Sequence, residues 1–353
     1  MDLLVRKMEA HEAAQTKKVA VKAFGPFEGF FVQKPADAFV AIIDGKIVGG
    51  LMYKFIESGG KKYGYVSFLF TDPDFKGQGV GKALMDKGIA LLWEEGADAL
   101  ITFVRDDNVA SWALFEKHGF KKASLSKFSR TVGFMGLIKP YVLSNCAISI
   151  GHEYYIAMPD ERATELCKKQ GGVGQIFIYV LLNMLLMMPM IVRDLSYIGN
   201  MAVVGLSVGA VFLGCVFSGY TATLFTDRRW NFRWVNGGIF VYPIVSLMGG
   251  FFPMIGGWYP DVYENTVKFR RDMALNAIGV WLFLIAVVLF RHLCENPASF
   301  LIYASNLAQI LLVFRCLPIE VFESTGFGRV WKWNKAVLGI LVAASIYLSF
   351  ILY

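Results

Sequence analysis

The sequence predicts an α+β domain at the N-terminal end, followed by an all-α polytopic membrane domain. Charged residues are concentrated in the first half, because residues 1–171 hold 23 of the 35 Lys and Arg and 20 of the 28 Asp and Glu. Apolar residues make up 56% of the chain, and the second half contains several runs that are long enough to cross a bilayer. We therefore expect a first domain at 1–158, a polar linker at 159–171 and a transmembrane domain at 172–353.

Composition also excludes several classes of protein. The formal net charge of +7 is divided almost evenly between the two halves, which is too little on either to indicate nucleic-acid binding. The five cysteines are an odd number without CxxC spacing, which argues against a disulfide framework or a zinc ribbon. Residues 1–18 lack the apolar run and cleavage site of a secretory signal, so we expect the first domain to lie in the cytosol.

Alternating apolar stretches, turns and helical segments define the first domain. Strands are predicted near 1–7, 38–43, 47–53, 63–71 and 99–104, with an Asp44-Gly45 hairpin turn after the second and further strand-like segments in 121–158. Helices are predicted at 9–23, after the glycine-rich turn 76–81, and at 109–117, where we expect His118 to cap the helix end and not to act in catalysis. Strands first and then strands alternating with helices indicate a mixed sheet.

The glycine-rich turn KGQGVG at 76–81 is the main chemical signal. A strand, a glycine loop and a helix start together present several backbone N–H groups and the positive end of a helix dipole, which is a site for a pyrophosphate group. Glycine allows the backbone to approach the phosphates closely. No Gly-Lys-Ser/Thr closes the loop, so it is not a P-loop.

Two segments carry a resemblance to the GNAT N-acetyltransferases. Residues 66–84, VSFLFTDPDFKGQGVGKAL, resemble the acetyl-CoA-binding motif of that family, and residues 108–120, NVASWALFEKHGF, resemble its second motif. The resemblance covers about residues 1–158 and implies a GNAT-type acyl-CoA-binding fold with acetyl-CoA as co-substrate. It also implies that strand 66–70 separates from the next strand and offers main-chain groups to the pantetheine arm. The cofactor-binding residues that it implies are Phe70, Thr71, Lys76, Gly77, Gln78, Gly79, Val80, Gly81, Lys82, Asn108 and Phe115.

Three positions depart from the family pattern. Lys76 replaces the usual Arg or Gln, and a cation near phosphate remains suitable there. Phe115 stands where many members have a Tyr that protonates the leaving thiolate, and phenylalanine donates no proton. Tyr65 stands where a carboxylate base is often found. The catalytic residues are therefore left open, with Tyr65 and Asp106 as candidates and a solvated loop as the alternative for Asp106.

Six apolar segments follow the linker, at about 173–192, 199–225, 235–256, 273–290, 298–316 and 336–353. Six full crossings would place the basic residues of 257–272 and 317–335 outside. The segment 235–256 is rich in Gly and Pro, and if it re-enters the membrane without crossing, eleven Lys and Arg lie inside against two outside. The sequence therefore favours five spans and one re-entrant segment over six spans.

Residues 172–353 also show a weaker resemblance to the membrane domain of the site-2 proteases. Residues 274–280, 306–319 and 331–335 are similar to segments of that family, and 218–222 stand where its His-Glu-x-x-His motif is expected. That motif is absent, and the four histidines of the chain are dispersed. The resemblance implies a scaffold without zinc, so we expect no metal cofactor.

These observations favour a membrane-anchored N-acetyltransferase that transfers an acetyl group from acetyl-CoA to an amine at the cytosolic face. The acceptor is left open among a small molecule, a peptide and a lipid. The alternative is an acyl-CoA-binding sensor that regulates an inactive protease-like membrane module and contacts a transmembrane protein partner.

Overall fold

The computed structural model describes residues 3–105, 108–143, 152–159, 165, 171–193, 200–234, 241–264, 266–317 and 326–351. The chain divides into two compact units, residues 1–169 and 170–353. The predicted linker 159–171 lies almost wholly outside the described residues.

A seven-stranded sheet forms the centre of the first unit, in the order β1-β2-β3-β4-β5-β7-β6. Its pairings are antiparallel except for β4 with β5, which is parallel. The strands are β1 (Leu3–Lys7), β2 (Asp37–Ile43), β3 (Lys46–Ser58), β4 (Lys61–Thr71), β5 (Ala99–Arg105), β6 (Lys121–Ala123) and β7 (His152–Ala157). The predicted Asp44-Gly45 turn is confirmed, with φ of 48° and 72°, as a tight hairpin with two positive φ values requires.

Helices cover both faces of this sheet. They are α1 (Ala13–Phe30), α2 (Val80–Glu94), α3 (Val109–Lys117) and α4 (Leu125–Leu143). Along β2, Val40 packs into the cluster that includes Val19 and Ala20 of α1, whereas the neighbouring Phe39 and Ala41 pack into the cluster of α2. Because successive strand residues point to opposite faces, α1 and α2 lie on opposite sides of the sheet.

The prediction of further strand-like segments in 121–158 is confirmed by β6 and β7. Between them the structure also has helix α4, which the sequence analysis did not predict. Helix α4 bends at Gly133, whose φ is 70°, and packs against β3, β4 and β7. The Tyr63 hydroxyl donates to the Thr131 carbonyl over 2.8 Å, and the partly buried Lys54 ammonium donates to the Leu143 carbonyl over 2.7 Å. These tertiary contacts stabilise a helix in a segment that contains many strand-forming residues.

The second unit is mainly helical. Its helices are α5 (Val173–Arg193), α6 (Met201–Thr223), α7 (Val241–Leu247), α8 (Val267–Leu293), α9 (Ser299–Arg315), α10 (Phe327–Trp333) and α11 (Lys335–Ile346), with a π-helical turn at Tyr347–Ile351. Three helices are long and apolar enough to cross a membrane, at Val173–Val192, Met201–Thr223 and Val267–Leu293; Ser299–Arg315 and Lys335–Ile351 are apolar but shorter. The core is centred on the fully buried Trp281, whose indole N–H donates to Ser345 Oγ over 2.8 Å.

The all-α prediction for this unit was wrong in one respect. Strands β8 (Trp230–Trp234) and β9 (Gly256–Pro260) form an antiparallel hairpin, with Trp234 opposite Gly256. The described part of the segment between them, from Val241 onward, contains the short helix α7 and a stretch without regular structure. The two ends of this segment therefore lie side by side.

Candidate functional site

The glycine-rich turn lies between the end of β4 and the start of α2. Gly77 and Gly79 have φ of 83° and 79°, in the left-handed region that favours glycine, and Gly79 is the N-cap of α2. The first helical amides, at Val80, Gly81 and Lys82, have no preceding turn of helix to donate to. The helix start thus combines unpaired N–H groups with the positive end of the helix dipole, which together bind an anion.

Side chains around this turn leave its backbone accessible. Residues 76–79 are exposed, as is Lys82, whereas Val80 is buried beneath them in the core. The Gln78 amide donates to the Phe75 carbonyl over 3.3 Å, so it is engaged within the turn. The donors that remain toward solvent are those of residues 79–82.

An ion pair fixes the entry to the turn. Lys22 of α1 donates to Asp72 and to Asp74, each over 2.6 Å, and Asp72 also accepts from the Asp74 amide over 3.0 Å. Burial alone would raise the pKa of Asp72, but the hydrogen bonds from Lys22 and the Asp74 amide and the charge of Lys22 outweigh it, and the pKa is lowered. Asp72 is therefore ionised at neutral pH and holds the turn against α1.

The predicted separation of the fourth and fifth strands is confirmed. Parallel pairing of β4 and β5 ends at Val66 and Thr102, although β5 continues to Arg105 and β4 to Thr71. The Thr102 hydroxyl donates to the Val66 carbonyl over 2.9 Å at this point. The register between β3 and β4 shifts between Met52 and Tyr53, opposite Ser67, and such a bulge bends a strand.

The second motif forms α3 and the turn that follows it. Asn108 is the N-cap of α3, with its side-chain oxygen accepting from the Ser111 amide over 3.2 Å. Phe115 is only 3% exposed and packs edge-to-face against Phe120, with ring centroids 5.0 Å apart. The expected helix-end role of His118 is confirmed: it is the C-cap, and its ring bonds the Leu114 carbonyl and Asp86, each over 2.8 Å.

The candidate base Tyr65 is also buried, at 3% exposure. Its ring lies 5.7 Å from that of Phe103, which in turn contacts Phe128, Tyr141 and Tyr154. Tyr65 therefore belongs to an aromatic cluster beneath α4. The other candidate, Asp106, lies outside the described residues.

Gly81 connects the elements of the site. A Cβ at this position would lie 3.7 Å from Thr71 Oγ1 and 3.8 Å from Leu114 Cδ2, so the end of β4, the start of α2 and helix α3 meet there. Phe70 is buried beneath this edge, and its ring fills the space above Gly50, where a Cβ would lie 2.6 Å away. The structure thus brings the residues of 70–82 together along one edge, while Asn108 and Phe115 act locally as a cap and as core.

Sequence reasoning missed three residues of the site: Lys22, Ser67 and Thr102. The Asp72-Pro73 turn could have indicated an anchored carboxylate. Nothing local identifies Lys22, which is fifty positions away from Asp72 in the chain. The bulge at Ser67 and the Thr102 hydrogen bond depend on pairing between strands.

Comparison with known proteins agrees with this geometry. Residues 5–120 match the model of the acetyltransferase (GNAT) family. Mycothiol acetyltransferase of Propionibacterium freudenreichii subsp. shermanii is 37% identical over 91 residues, which are 26% of this chain and 29% of that protein. Peptidyl-lysine N-acetyltransferase YjaB of Salmonella typhimurium is 35% identical over 81 residues, 23% of this chain and 48% of that protein. The sequence similarity of this part of the chain is thus to the acetyltransferases of the GNAT family.

The family model covers residues 5–120 of the 353. The chain spans less than a third of the matched mycothiol acetyltransferase and about half of YjaB. A GNAT family acetyltransferase from Brucella melitensis, solved in complex with acetyl-CoA, has 23% identity and a TM-score of 0.29, covering 34% of this chain and 83% of that one.

Proposed function

We propose that the protein is a membrane-anchored N-acetyltransferase that uses acetyl-CoA to acetylate a primary amine at the cytosolic face of the membrane. One observation carries this proposal: the unpaired edge of β4 after Val66 runs directly into the glycine-rich turn at the start of α2. An acyl carrier with a pyrophosphate group and an extended amide-containing arm needs these two features side by side.

The hydrogen-bond donors of the glycine-rich turn and of β4 fit acetyl-CoA as the co-substrate. Amides at the start of α2 would bind the pyrophosphate, with Lys76 and Lys82 adding positive charge at the exposed loop. Main-chain groups of residues 67–71 would pair with the pantetheine arm in the way that one strand pairs with another. The gap that opens between β4 and β5 after Val66 would then hold the thioester.

Direct transfer is the chemistry that this arrangement supports. The amine nitrogen attacks the thioester carbonyl, the C–N bond forms, and a main-chain N–H of the β4 edge stabilises the developing oxyanion. The C–S bond then breaks, the amine gives up a proton, and CoA leaves as a thiolate that takes up a proton. Phe115 has no proton to give, and Tyr65 lies within the aromatic cluster, so we assign neither proton transfer to them.

The acceptor is proposed only as an amine. The matched relatives carry the names mycothiol acetyltransferase, peptidyl-lysine N-acetyltransferase and, in Escherichia coli, [ribosomal protein bS18]-alanine N-acetyltransferase. The shared chemistry of the GNAT relatives supports an amine acceptor, and a small molecule, a peptide or a lipid amine would all satisfy it. No nucleic-acid or metal partner enters the proposal, and among the described residues no group of three or more His, Cys, Asp or Glu is arranged to hold a metal.

We propose five membrane spans and one re-entrant segment at about 235–256. The pairing of Trp234 with Gly256 supports this topology, because a segment whose two ends are hydrogen-bonded neighbours does not cross a bilayer between them. The segment is also held by protein: the Met254 amide donates to Asn183 Oδ1 over 2.8 Å, and Ser246 donates to the Leu186 carbonyl. Irregular backbone at membrane depth requires such cover.

A second candidate function is an acyl-CoA sensor without turnover, coupled to a protease-like membrane module. The burial of Phe115 and Tyr65 favours it, since neither side chain has the place of a proton-transfer group at an open site. Contacts between the segments that resemble site-2 proteases also support the module: Asn276 of α8 donates to the Gly219 carbonyl of α6 over 2.9 Å.

Transfer from radiolabelled acetyl-CoA distinguishes the two functions. The detergent-purified protein is incubated with a small-molecule amine, a lysine peptide, a peptide with a free N-terminus, and phosphatidylethanolamine. Labelled product with any acceptor supports the transferase, provided that Gly79→Val abolishes it. Acetyl-CoA binding without product on any acceptor would support the sensor, and absence of binding would contradict both.

A further inference from the structure

Two arginines of the second unit face one pocket, and neither has a carboxylate partner among the described residues. The pocket has an empty volume of about 420 Å³, including solvent at its mouth, and both Arg315, at the end of α9, and Arg329, in α10, line it. The structure records no ion pair for either guanidinium among the residues that it describes. Arginine carries a positive charge, so this pocket is lined by two cationic groups.

Arg329 is the more deeply buried of the two, at 4% exposure. Its Nη1 donates to the Trp258 carbonyl over 3.2 Å and to Asn276 Oδ1, and its guanidinium carbon lies 4.7 Å from the centre of the Tyr259 ring. Its Nε is buried and has no hydrogen-bond partner among the described residues. These contacts orient the guanidinium but are all with neutral groups, so the described part of the chain supplies no negative charge to it, and an unpaired buried charge is costly.

Glycine at position 326 allows the Arg315 guanidinium to reach the pocket wall. A Cβ at Gly326 would lie 2.5 Å from Arg315 Nη1, whereas one at Gly257 would make only an ordinary contact, 3.8 Å from Arg329 Nη2. Gly326 also has a φ of 86°, in the left-handed region. The pocket is thus shaped so that two planar, multidentate donors converge on its interior.

An apolar chamber adjoins this cationic pocket. It has an empty volume of about 410 Å³, including solvent at its mouth, and shares Tyr179, Cys215, Gly256 and Arg315 with the first pocket. Its remaining lining is apolar: Phe212, Pro253, Met254, Ile255, Leu311 and Phe314. Arg315 therefore lies at the boundary between the pocket lined by the two arginines and the adjoining apolar pocket.

We propose that this double pocket binds an anionic amphiphile, with a phosphate or carboxylate group held by Arg315 and Arg329 and an apolar tail in the adjoining chamber. Arginine is suited to this role because its planar fork donates two parallel hydrogen bonds to such a group. The ligand would supply the negative charge that the described residues do not. This pocket is separate from the acetyl-CoA site, so a test of lipid binding does not depend on whether the protein transfers acetyl groups.

Binding is tested with the full-length protein in neutral detergent after removal of co-purified lipid. The probes are dioleoyl phosphatidic acid, dioleoyl phosphatidylcholine at equal concentration, and radiolabelled inorganic phosphate, with bound lipid counted by native mass spectrometry and phosphate by equilibrium dialysis. We expect phosphatidic acid to be retained over phosphatidylcholine by about tenfold, the ratio that a charge-assisted hydrogen bond provides. Binding of inorganic phosphate would show that the head group suffices, and its absence would show that the tail is needed.

Arg329→Gln and Arg315→Gln should each remove this preference, and Arg315→Lys should keep part of it. Lys268→Gln is the matched control, because that exposed lysine also carries a positive charge but pairs with Asp227 over 2.9 Å outside the pocket. Each variant is first shown to be monodisperse by gel filtration. Equal retention of the two lipids without phosphate binding, or a preference that survives in both arginine variants, would overturn the proposal.

A carboxylate of the chain itself is the competing occupant. Glu320 and Glu323 lie in 318–325, outside the described residues. If one of them fills the pocket, the wild-type protein will bind neither probe while Glu320→Gln/Glu323→Gln will bind both. That result would also overturn the proposal.

Discussion

The Lys22 ammonium of α1 lies 2.6 Å from the Asp72 carboxylate at the end of β4, and this pair holds the glycine-rich turn in place. Lys22 also reaches Asp74 at 2.6 Å, so one exposed side chain bridges both acids that flank Pro73. The position of the helix start that would bind the pyrophosphate therefore depends on a residue far away in the sequence.

Replacing Lys22 by Met should weaken acetyl-CoA binding without abolishing it. Ion pairs that are partly exposed contribute little, so we expect the Kd to rise about two- to fivefold. Asp72→Ala should cost more, since it also removes the acceptor for the Asp74 amide, and loss of such a cap costs about 1 kcal/mol. Calorimetric titration of the purified protein measures both, with Lys18→Met, an exposed lysine four residues before, as the control. An unchanged Kd in Asp72→Ala would contradict the anchoring role.

The Lys22–Asp72 ion pair predicts that the effect of Lys22→Met on the Kd for acetyl-CoA does not change with pH near neutrality. The pKa of Asp72 is lowered from 3.8, so its contribution is present above that value and is lost only as the pH falls through the lower folded-state pKa. The pKa of Lys22 is raised from 10.5, chiefly by the hydrogen bond to Asp72, so its contribution is lost only as the pH rises above 10.5. The ratio of the Kd values of Lys22→Met and wild type should therefore stay constant from about pH 5 to pH 9. A ratio that changes within this range would show that another group titrates at the turn.

Gly79 and Gly81 should respond differently to the same substitution. Gly79 has a φ of 79°, and a side chain in the left-handed conformation costs about 1–2 kcal/mol, so Gly79→Ala should raise the Kd for acetyl-CoA about tenfold. A Cβ at Gly81 meets only ordinary contacts, at 3.7 Å or more, so Gly81→Ala should change the Kd much less. A larger side chain at Gly81, as in Gly81→Leu, would extend toward Thr71 and Leu114 and should block binding. Equal effects of the two alanine variants would show that backbone conformation at the N-cap is not the determinant.

Restoring the phenol with Phe115→Tyr should not raise turnover. The ring is 3% exposed and packs on Phe120, so the added hydroxyl would be buried, at a cost of about 1–3 kcal/mol if it finds no partner. We expect a lower midpoint of thermal unfolding and an acetylation rate no higher than that of the wild type. Phe30→Tyr adds the same hydroxyl at a position that is 83% exposed and should leave both quantities unchanged. A tenfold gain in rate for Phe115→Tyr would instead show that this position reaches the leaving thiolate.

Topology is tested by single cysteines at Trp230, Asn265 and Tyr353 in a background without the five native cysteines. Five spans with a re-entrant segment place the first two in the cytosol, protected from an impermeant thiol reagent on intact cells, and the third outside, where it is labelled. Cysteines introduced at the three positions should all react after permeabilisation. Labelling at 265 with protection at 353 would establish six crossings.

Local chemistry in the sequence was enough to predict much of the first unit. The Asp44-Gly45 hairpin, the glycine-rich helix start and the His118 cap each depend on residues within a few positions of one another, where turn and capping preferences act. The separation of β4 from β5 was expected only through the resemblance to GNAT enzymes, because nothing in periodicity reports where a pairing ends.

Tertiary structure decided the remaining features, because they arise from burial and from pairing between distant segments. Helix α4 forms where strand-forming residues are common, since its contacts with β3, β4 and β7 outweigh local preference. Phe115 and Tyr65 stand at motif positions but are buried among aromatic rings. In the second unit, hydropathy indicated apolar segments. Only the packing of α8, α9 and α10 brought Arg315 and Arg329 to one pocket, because side-chain convergence depends on how helices cross and not on the composition of any one of them.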